Sequence, residues 1–171
     1  MEQKSLCKKS VLALVISVIA VTGSFAQFSV GPELQVPMST PFSDNSNLGF
    51  GGSATYQAPI NDNLSWTGYF GYFSYSGKAA ATGFTSSFIP VMAGVKYYFT
   101  ESGNGFYGEL DLGMFFASAS GPNGFSNSDS KFGFTPAVGY RVGSFDLGAR
   151  YNIVDQGNNL AFRVAYVFGA K

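Results

Sequence analysis

The sequence predicts an all-β fold: an eight-stranded antiparallel up-and-down transmembrane β-barrel, preceded by a cleavable signal peptide. Eight segments alternate apolar residues with polar or small ones at a period of two, as strands with two different faces do. Only 12% of the residues are charged, whereas 17% are aromatic and 22 are glycine. This composition favours a barrel in lipid over a soluble exported domain. The connections between the segments also alternate in length, which is typical of outer-membrane barrels.

The first 26 residues have the organisation of a signal peptide. A lysine-rich start precedes the apolar run 11–21, and the small-residue cleavage site Ser24-Phe25-Ala26 follows it. A transmembrane helix needs about 20 apolar residues, so this run is too short to be one. We therefore expect one mature domain, the barrel, over residues 27–171. Cys7, the single cysteine, leaves with the signal, so the mature chain has no disulfide.

The eight predicted strands follow the alternation along the mature chain, and no segment outside the signal has a convincing helical period. Their ranges are 28–38, 48–58, 64–75, 88–99, 106–116, 132–142, 145–153 and 160–168. The third strand is aromatic on both faces. We place Leu64, Trp66, Phe70 and Tyr72 on its outward face.

Long and short connections separate these strands. The long ones, rich in Ser, Gly and Asn, are 39–47, 76–87 and 117–131; the short ones are 59–63, 100–105 and 143–144, and 154–159 is intermediate. Outer-membrane barrels have short periplasmic turns and longer extracellular loops, so the long connections are expected at the cell surface.

Outward aromatic residues gather at the short-turn ends of all eight strands. Aromatic residues favour any strand, but their concentration at one rim predicts a periplasmic girdle at the level of the lipid headgroups. The predicted girdle comprises Phe28, Tyr56, Trp66, Tyr97, Phe99, Phe106, Tyr140, Phe145, Tyr166 and Phe168.

Eight charged residues lie in the middle of predicted strands, on the polar faces. They are Glu33, Lys96, Glu109, Asp111, Arg141, Asp146, Arg150 and Arg163. A charge that faces the bilayer midplane costs about 2–4 kcal/mol, and a buried charge without a partner is more costly still. We therefore interpret these residues as a structural salt ladder inside the barrel.

Turn lengths predict which of these charges face each other. A two-residue turn places Arg141 opposite Asp146, and the preceding short turn places Lys96 opposite Glu109. Pairing the apolar ends of the fifth and sixth strands then puts Glu109 opposite Gly139, diagonal to Arg141. The resulting ladder runs Lys96–Glu109–Arg141–Asp146.

The tightest pairing of the last hairpin creates a conflict, because it places Arg150 opposite Arg163. Like charges directly opposite each other destabilise a strand pair. Either the register of this hairpin shifts by two residues, or Glu33 and Asp111 come between the two arginines.

The sequence also excludes several functions. After removal of Glu2, Lys4, Lys8 and Lys9, the mature chain has seven basic and nine acidic residues, a net charge of −2. This balance excludes a strongly basic nucleic-acid binder. The chain has no histidine, which removes the commonest general base. We therefore predict a non-enzymatic protein, with no catalytic, cofactor-binding or metal-binding residues.

The closing hairpin resembles that of the small outer-membrane β-barrel family, which includes OmpX-like and OmpA transmembrane-domain-like proteins of the porin family. The similar residues are Phe145-Asp-Leu-Gly-Ala-Arg-Tyr151 and Leu160-Ala-Phe-Arg-Val-Ala-Tyr-Val-Phe168. The resemblance implies a Gram-negative outer-membrane location, lipid contacts, and recognition of the last strand by the barrel-assembly machinery.

The leading functional expectation is a structural or adhesin-like outer-membrane barrel, with a filled, charge-paired interior and extracellular loops available for surface contacts, an extracellular ligand among them. A first alternative is a narrow porin or a conduit for hydrophobic solutes, which would use Tyr69, Phe73 and Tyr98. A second is a soluble, lipocalin-like periplasmic carrier, in which the apolar residues would face inward and the charges would face water.

Overall fold

The computed structural model describes residues 26–40, 42–78, 83–100, 103–122 and 126–169. Antiparallel pairing between successive strands, and between the first and the last, closes a barrel of eight strands. The strands are β1 (Gln27–Pro37), β2 (Ser46–Pro59), β3 (Leu64–Gly77), β4 (Thr85–Tyr98), β5 (Gly105–Ser120), β6 (Ser126–Val142), β7 (Phe145–Val154) and β8 (Asn159–Phe168), and a single helical turn, α1 (Phe42–Asn45), lies between β1 and β2. The predicted fold class and strand number are confirmed.

One prediction about the N-terminal region falls almost entirely outside the described residues. The predicted signal peptide, residues 1–26, lies outside the described residues except for Ala26. Within the described ranges, no helix is long and apolar enough to cross a membrane.

The two faces of the wall differ sharply in polarity. Alternate residues of each strand point toward the interior, and every charged residue of the described strands occupies one of these inward positions. The outer face is apolar along its length, and Phe50, Phe70, Val138 and Phe162 each expose between 49% and 65% of their surface. The predicted outward face of the third strand is confirmed, because Trp66, Phe70 and Tyr72 are exposed and Leu64 is half-buried.

Several strands continue beyond their predicted ends on one side of the barrel. The expected long loops 76–87 and 117–131 are wrong in extent. Pairing of β3 with β4 continues to Ser76 opposite Thr85, and pairing of β5 with β6 continues from Ala117 opposite Asp129 to Ser120 opposite Ser126. The backbone of serine, alanine and asparagine forms the same ladder of hydrogen bonds as that of apolar residues. The alternation that predicts strands in the sequence therefore ends before the strands do. We call this side the loop end. The opposite side, with residues 60–63, 99–100, 103–104 and 143–144, is the turn end.

Three prolines interrupt the pairing between strands. Pairing is missing between β1 and β8 at Pro32, between β3 and β4 at Pro90, and between β6 and β7 at Pro136. Each of these prolines is paired on its other side. A proline has no amide hydrogen to donate, so each one weakens a single seam of the barrel.

Candidate functional site

The interior of the barrel is the candidate functional site, because it holds all eight mid-strand charges. Each of these side chains belongs to a residue that retains no more than 6% of its exposed surface. Antiparallel alternation places them there, since each occupies an inward position of its strand. They lie between the middle of the barrel and the turn end.

Lys96 and Arg150 are the two cations of the main ion-pair network. The Nζ atom of Lys96 lies 3.0 Å from Oε2 of Glu109 and 3.3 Å from Oδ2 of Asp146. The Nη1 atom of Arg150 lies 2.9 Å from Oε1 of Glu109, and its Nη2 atom pairs with Oδ2 of Asp111. Glu109 therefore bridges the two cations, and the network spans β4, β5 and β7.

The position of Glu109 corrects one step of the predicted ladder. Lys96 lies opposite Glu109, as predicted. Glu109, however, lies opposite Ala137, so the expected pairing with Gly139 is wrong by two residues. Ala137 lies opposite Arg150 on its other side, and its small side chain lets Arg150 reach across β6 to Glu109.

Arg141 therefore has other partners than the predicted Glu109. It lies opposite Asp146, as predicted, but its guanidinium points to the turn end. There it donates hydrogen bonds to the side chain of Gln27, to the hydroxyl of Tyr98 at 3.4 Å and to the carbonyl of Gly143 at 3.3 Å. The ion pairs found among the described residues do not include Arg141.

The second network joins Glu33 and Arg163 through a serine. The two residues lie opposite each other on β1 and β8. Nε of Arg163 donates to Oγ of Ser53 at 2.9 Å, and that hydroxyl donates to Oε2 of Glu33 at 2.9 Å. Arg163 also donates to the hydroxyl of Ser29 at 2.9 Å.

The conflict between the two arginines is resolved by the first of the two predicted alternatives. Arg150 lies opposite Ala161, and Arg163 lies opposite Gly148, which is a shift of two residues from the tightest pairing. Small residues thus face both guanidinium groups across the last hairpin.

Sequence reasoning did not predict that neutral side chains take part in these networks. The hydroxyl of Tyr69 donates to Glu33 at 2.8 Å, and the ring of Tyr69 lies 4.0 Å from the guanidinium carbon of Arg150. Thr67 donates to Asp111 at 2.7 Å. The sequence could have indicated them, because the outward residues of β3 were predicted correctly and the residues between them must point inward.

An aromatic layer fills the interior on the loop-end side of these charges. Its buried members are Tyr69, Phe73, Tyr75, Phe88, Met92, Phe115 and Val154. Glycines on neighbouring strands make room for the rings: a Cβ added at Gly49 would lie 2.3 Å from the ring of Tyr75, and one at Gly133 would lie 2.8 Å from that of Phe115. The charged and aromatic layers therefore follow one another along the barrel interior.

The residues of the predicted girdle lie near the turn end. Nine of the ten are exposed on the outer face, and Tyr56 is half-buried. Neighbouring members contact each other edge to face, with ring centres 4.8 Å apart for Phe106 and Tyr140 and 5.0 Å apart for Tyr166 and Phe168. Such rings present both an apolar body and, in tyrosine, a polar tip.

Most carboxylates of the interior are engaged in ion pairs. The described residues contain no group of three or more side chains suited to hold a metal ion. The carboxylates of Glu109, Asp111 and Asp146 each have a basic partner.

Comparison of folds links this architecture to known proteins. No protein-family model matches the chain, and none of the curated proteins matches it in sequence. Ail, the attachment invasion locus protein of Yersinia pestis, superposes with a TM-score of 0.59 at 16% identity, over 84% of this chain and 97% of that one. The chain has the fold of a small outer-membrane β-barrel.

Two further structures have the same fold. The N-terminal β-barrel domain of OprF from Pseudomonas aeruginosa superposes with a TM-score of 0.56 at 11% identity, over 83% of this chain and 97% of that one. Neisserial surface protein A (NspA) does so with a TM-score of 0.51 at 19% identity, over 83% of this chain and 94% of that one. At these identities the likeness concerns the fold.

Proposed function

We propose that this protein is a non-enzymatic outer-membrane β-barrel, with a filled, charge-paired interior and a loop end that contacts molecules outside the cell. The observation that carries the proposal is the separation of the two faces. Large apolar side chains cover the outer face, whereas the charges of the strands face inward, where they pair with each other or with polar groups. In lipid this arrangement is stable, because the outer face meets hydrocarbon and the charges avoid it.

The same observation opposes the lipocalin-like carrier. A soluble carrier needs an apolar interior and a charged outer face. This barrel has the opposite arrangement, with Lys96, Glu109 and Arg150 buried and Phe70 and Phe132 exposed. The outer face would aggregate in water, because its apolar surface is far larger than a soluble monomer tolerates.

The proposed partners follow from the location. The outer face contacts outer-membrane lipids, with the aromatic girdle at the periplasmic headgroups. The predicted signal peptide directs export, and the barrel-assembly machinery inserts the chain through its last strand. The fold neighbour Ail is named for attachment and has been solved in complex with the heparin analogue sucrose octasulfate, which supports a surface-contact role for this fold.

The loop end of this chain differs from a heparin-binding surface in its charge. Its connections and strand ends carry Asp44, Asp129 and Asp155 but only Lys78 and Lys131. An anionic polysaccharide needs a cluster of basic residues. We therefore propose that the partners of this loop end are neutral or cationic.

Cysteine labelling in whole cells tests the location and the orientation together. The predicted mature chain has no cysteine, so each variant reports a single site. Asp129→Cys at the loop end is expected to react with a membrane-impermeant maleimide, whereas the matched variant Asp62→Cys at the turn end is expected to react only after lysis. Both residues are exposed in the structure.

The fractionation of these variants supplies the control. Both proteins are expected in the outer-membrane fraction, and both are expected to migrate differently on a denaturing gel before and after heating, as folded barrels do. Recovery in the soluble periplasm would overturn the location. Labelling of Asp62→Cys in intact cells, with Asp129→Cys protected, would reverse the proposed orientation.

A further inference from the structure

A cavity of about 220 Å³ opens at the loop end, outside the charged network of the interior. It lies among the ends of β4, β5, β6 and β7, and α1 contributes to its wall through Phe42. The other rings that line it are those of Tyr75, Phe88 and Phe115. These residues belong to the aromatic layer or pack against it, so the cavity ends on a closed floor.

The floor is apolar although it contains a tyrosine. The hydroxyl of Tyr75 donates a hydrogen bond to the side chain of Gln35, which leaves the ring as the part that faces the cavity. Ring centres lie 5.0 Å apart for Phe42 and Tyr75 and 5.3 Å apart for Phe88 and Phe115. A cavity lined in this way favours an apolar body of matching size.

The rim of the cavity carries three charged side chains, and Lys131 contacts both of the others. Nζ of Lys131 lies 3.0 Å from Oδ2 of Asp155 and 3.7 Å from Oδ2 of Asp129. The hydrogen bond to Asp155 raises the pKa of the Lys131 ammonium above its usual value, so this group stays charged at neutral pH. Two carboxylates and one ammonium leave the rim with one net negative charge.

The rim carboxylates remain accessible to a ligand. The side chains of Asp129 and Asp155 are 59% and 73% exposed, whereas that of Lys131 is 29% exposed. A cationic group above the cavity therefore meets two exposed carboxylates. An anionic group meets two carboxylates and an ammonium that is already paired.

We propose that this cavity binds a small amphipathic cation, with a body of about one aromatic ring and an amino head. The ring would fill the space between Phe88, Phe115 and Phe42, and the amino head would lie at the rim beside Asp129 and Asp155. A single ring fits the volume, because an apolar protein cavity of about 150 Å³ holds benzene. Such a site adds recognition of a small molecule to the surface contacts proposed above.

The methionine methyl groups provide a local test in the folded, detergent-solubilised barrel. Met92 belongs to the aromatic layer beneath the cavity, whereas Met114 faces outward. Titration with 2-phenylethylamine is expected to shift the ¹³C-methyl resonance of Met92 in a saturable manner and to leave that of Met114 unchanged. Partition of the amine into detergent would instead shift Met114 without saturation, which counts against the proposal.

Ligand charge and cavity shape are tested separately. The carboxylate 3-phenylpropionate has a similar body and is expected to bind roughly tenfold more weakly, given the energies of exposed ion pairs. Ala117→Leu places a larger side chain beside Phe42 and Phe88 and is expected to abolish the Met92 shift. Equal binding of the two compounds, or an unchanged shift in a folded Ala117→Leu barrel, overturns the proposal.

The rim is tested with a matched set of charge variants. Asp129→Asn and Asp155→Asn are each expected to weaken 2-phenylethylamine binding about two- to fivefold, the range of an exposed ion pair. Asp44→Asn is the control, because Asp44 is exposed at the same end but does not line the cavity. Equal affinity in all three variants and the parent would remove the rim from the site and overturn the proposed amino-head contact.

Discussion

Arg150 shows how much of the interior depends on a single side chain. Its two terminal nitrogens pair with Glu109 and Asp111, and its guanidinium lies over the ring of Tyr69. The residue is 3% exposed, so none of these contacts is replaced by water when the side chain is removed. Glu109 would keep Lys96 as a partner, whereas Asp111 would lose its cationic partner and keep its hydrogen bond from Thr67.

Replacement of Arg150 is therefore expected to be more damaging than replacement of Arg141. Arg150→Met should lower the free energy of unfolding by about 3–5 kcal/mol, as expected when one partner of a buried pair is lost. Arg141→Met removes hydrogen bonds at the turn end and should cost about 1–3 kcal/mol. Urea unfolding in lipid vesicles, followed by the heat-dependent gel shift, measures both. Equal losses would mean that the two arginines have similar surroundings.

The sequence predicted where the charges point but only part of their pairing. Strand alternation and the short turns were sufficient to predict that Lys96 lies opposite Glu109 and that Arg141 lies opposite Asp146. The partner of Glu109 depends on the register of β5 and β6, which no short turn determines. Its pairing with Arg150 also depends on Ala137, a small residue whose role becomes visible only when three strands are seen side by side.

At the level of the strand, β6 works as a spacer between two strands with large inward side chains. Gly139 lies opposite Tyr107, and Ala137 lies opposite Glu109. A Cβ added at Gly139 would lie 2.3 Å from the ring of Tyr107, so the ring occupies the space that a side chain on β6 would need. The small inward residues of β6 therefore favour this register over the predicted one.

Ala137→Leu is expected to break the network without removing any charge. The larger side chain would separate Glu109 from Arg150 and overpack the interior, with a loss of about 1–3 kcal/mol in the free energy of unfolding. Val138→Leu is the matched control, because Val138 is 64% exposed on the outer face whereas Ala137 is 7% exposed. The control should unfold at nearly the parent urea concentration. A similar midpoint for both variants would show that Ala137 is not a required gap.

Strand length was less predictable than strand number. Where the outer face of the barrel is apolar, outward and inward side chains have different surroundings. Apolar and polar residues therefore alternate in the sequence of those segments. At the loop end, from Ala117 to Ser120 and from Ser126 to Asp129, the residues on both faces are polar or small, so the alternation ends. Backbone pairing nevertheless continues there, since a hairpin ladder requires only amides and carbonyls in register.

For the whole molecule, the decisive property is that the interior contains two chemically different layers of side chains. The aromatic layer around Phe88 and Phe115 lies toward the loop end, and the ion pairs of Lys96 and Arg150 lie toward the turn end. Eight strands enclose an interior just wide enough for side chains to fill. Removal of one layer therefore leaves the other in place.

The reconstituted protein is accordingly expected to show no stable conductance steps in planar bilayers. The double variant Phe88→Ala/Phe115→Ala opens the aromatic layer but keeps the ion pairs, so it should also remain closed. A wide porin measured in the same membranes confirms that insertion is detectable, and the heat-dependent gel shift confirms that each barrel is folded. Large, stable steps in the parent protein would contradict the filled interior and favour the narrow conduit. Steps confined to the double variant would show that the aromatic layer alone closes the lumen.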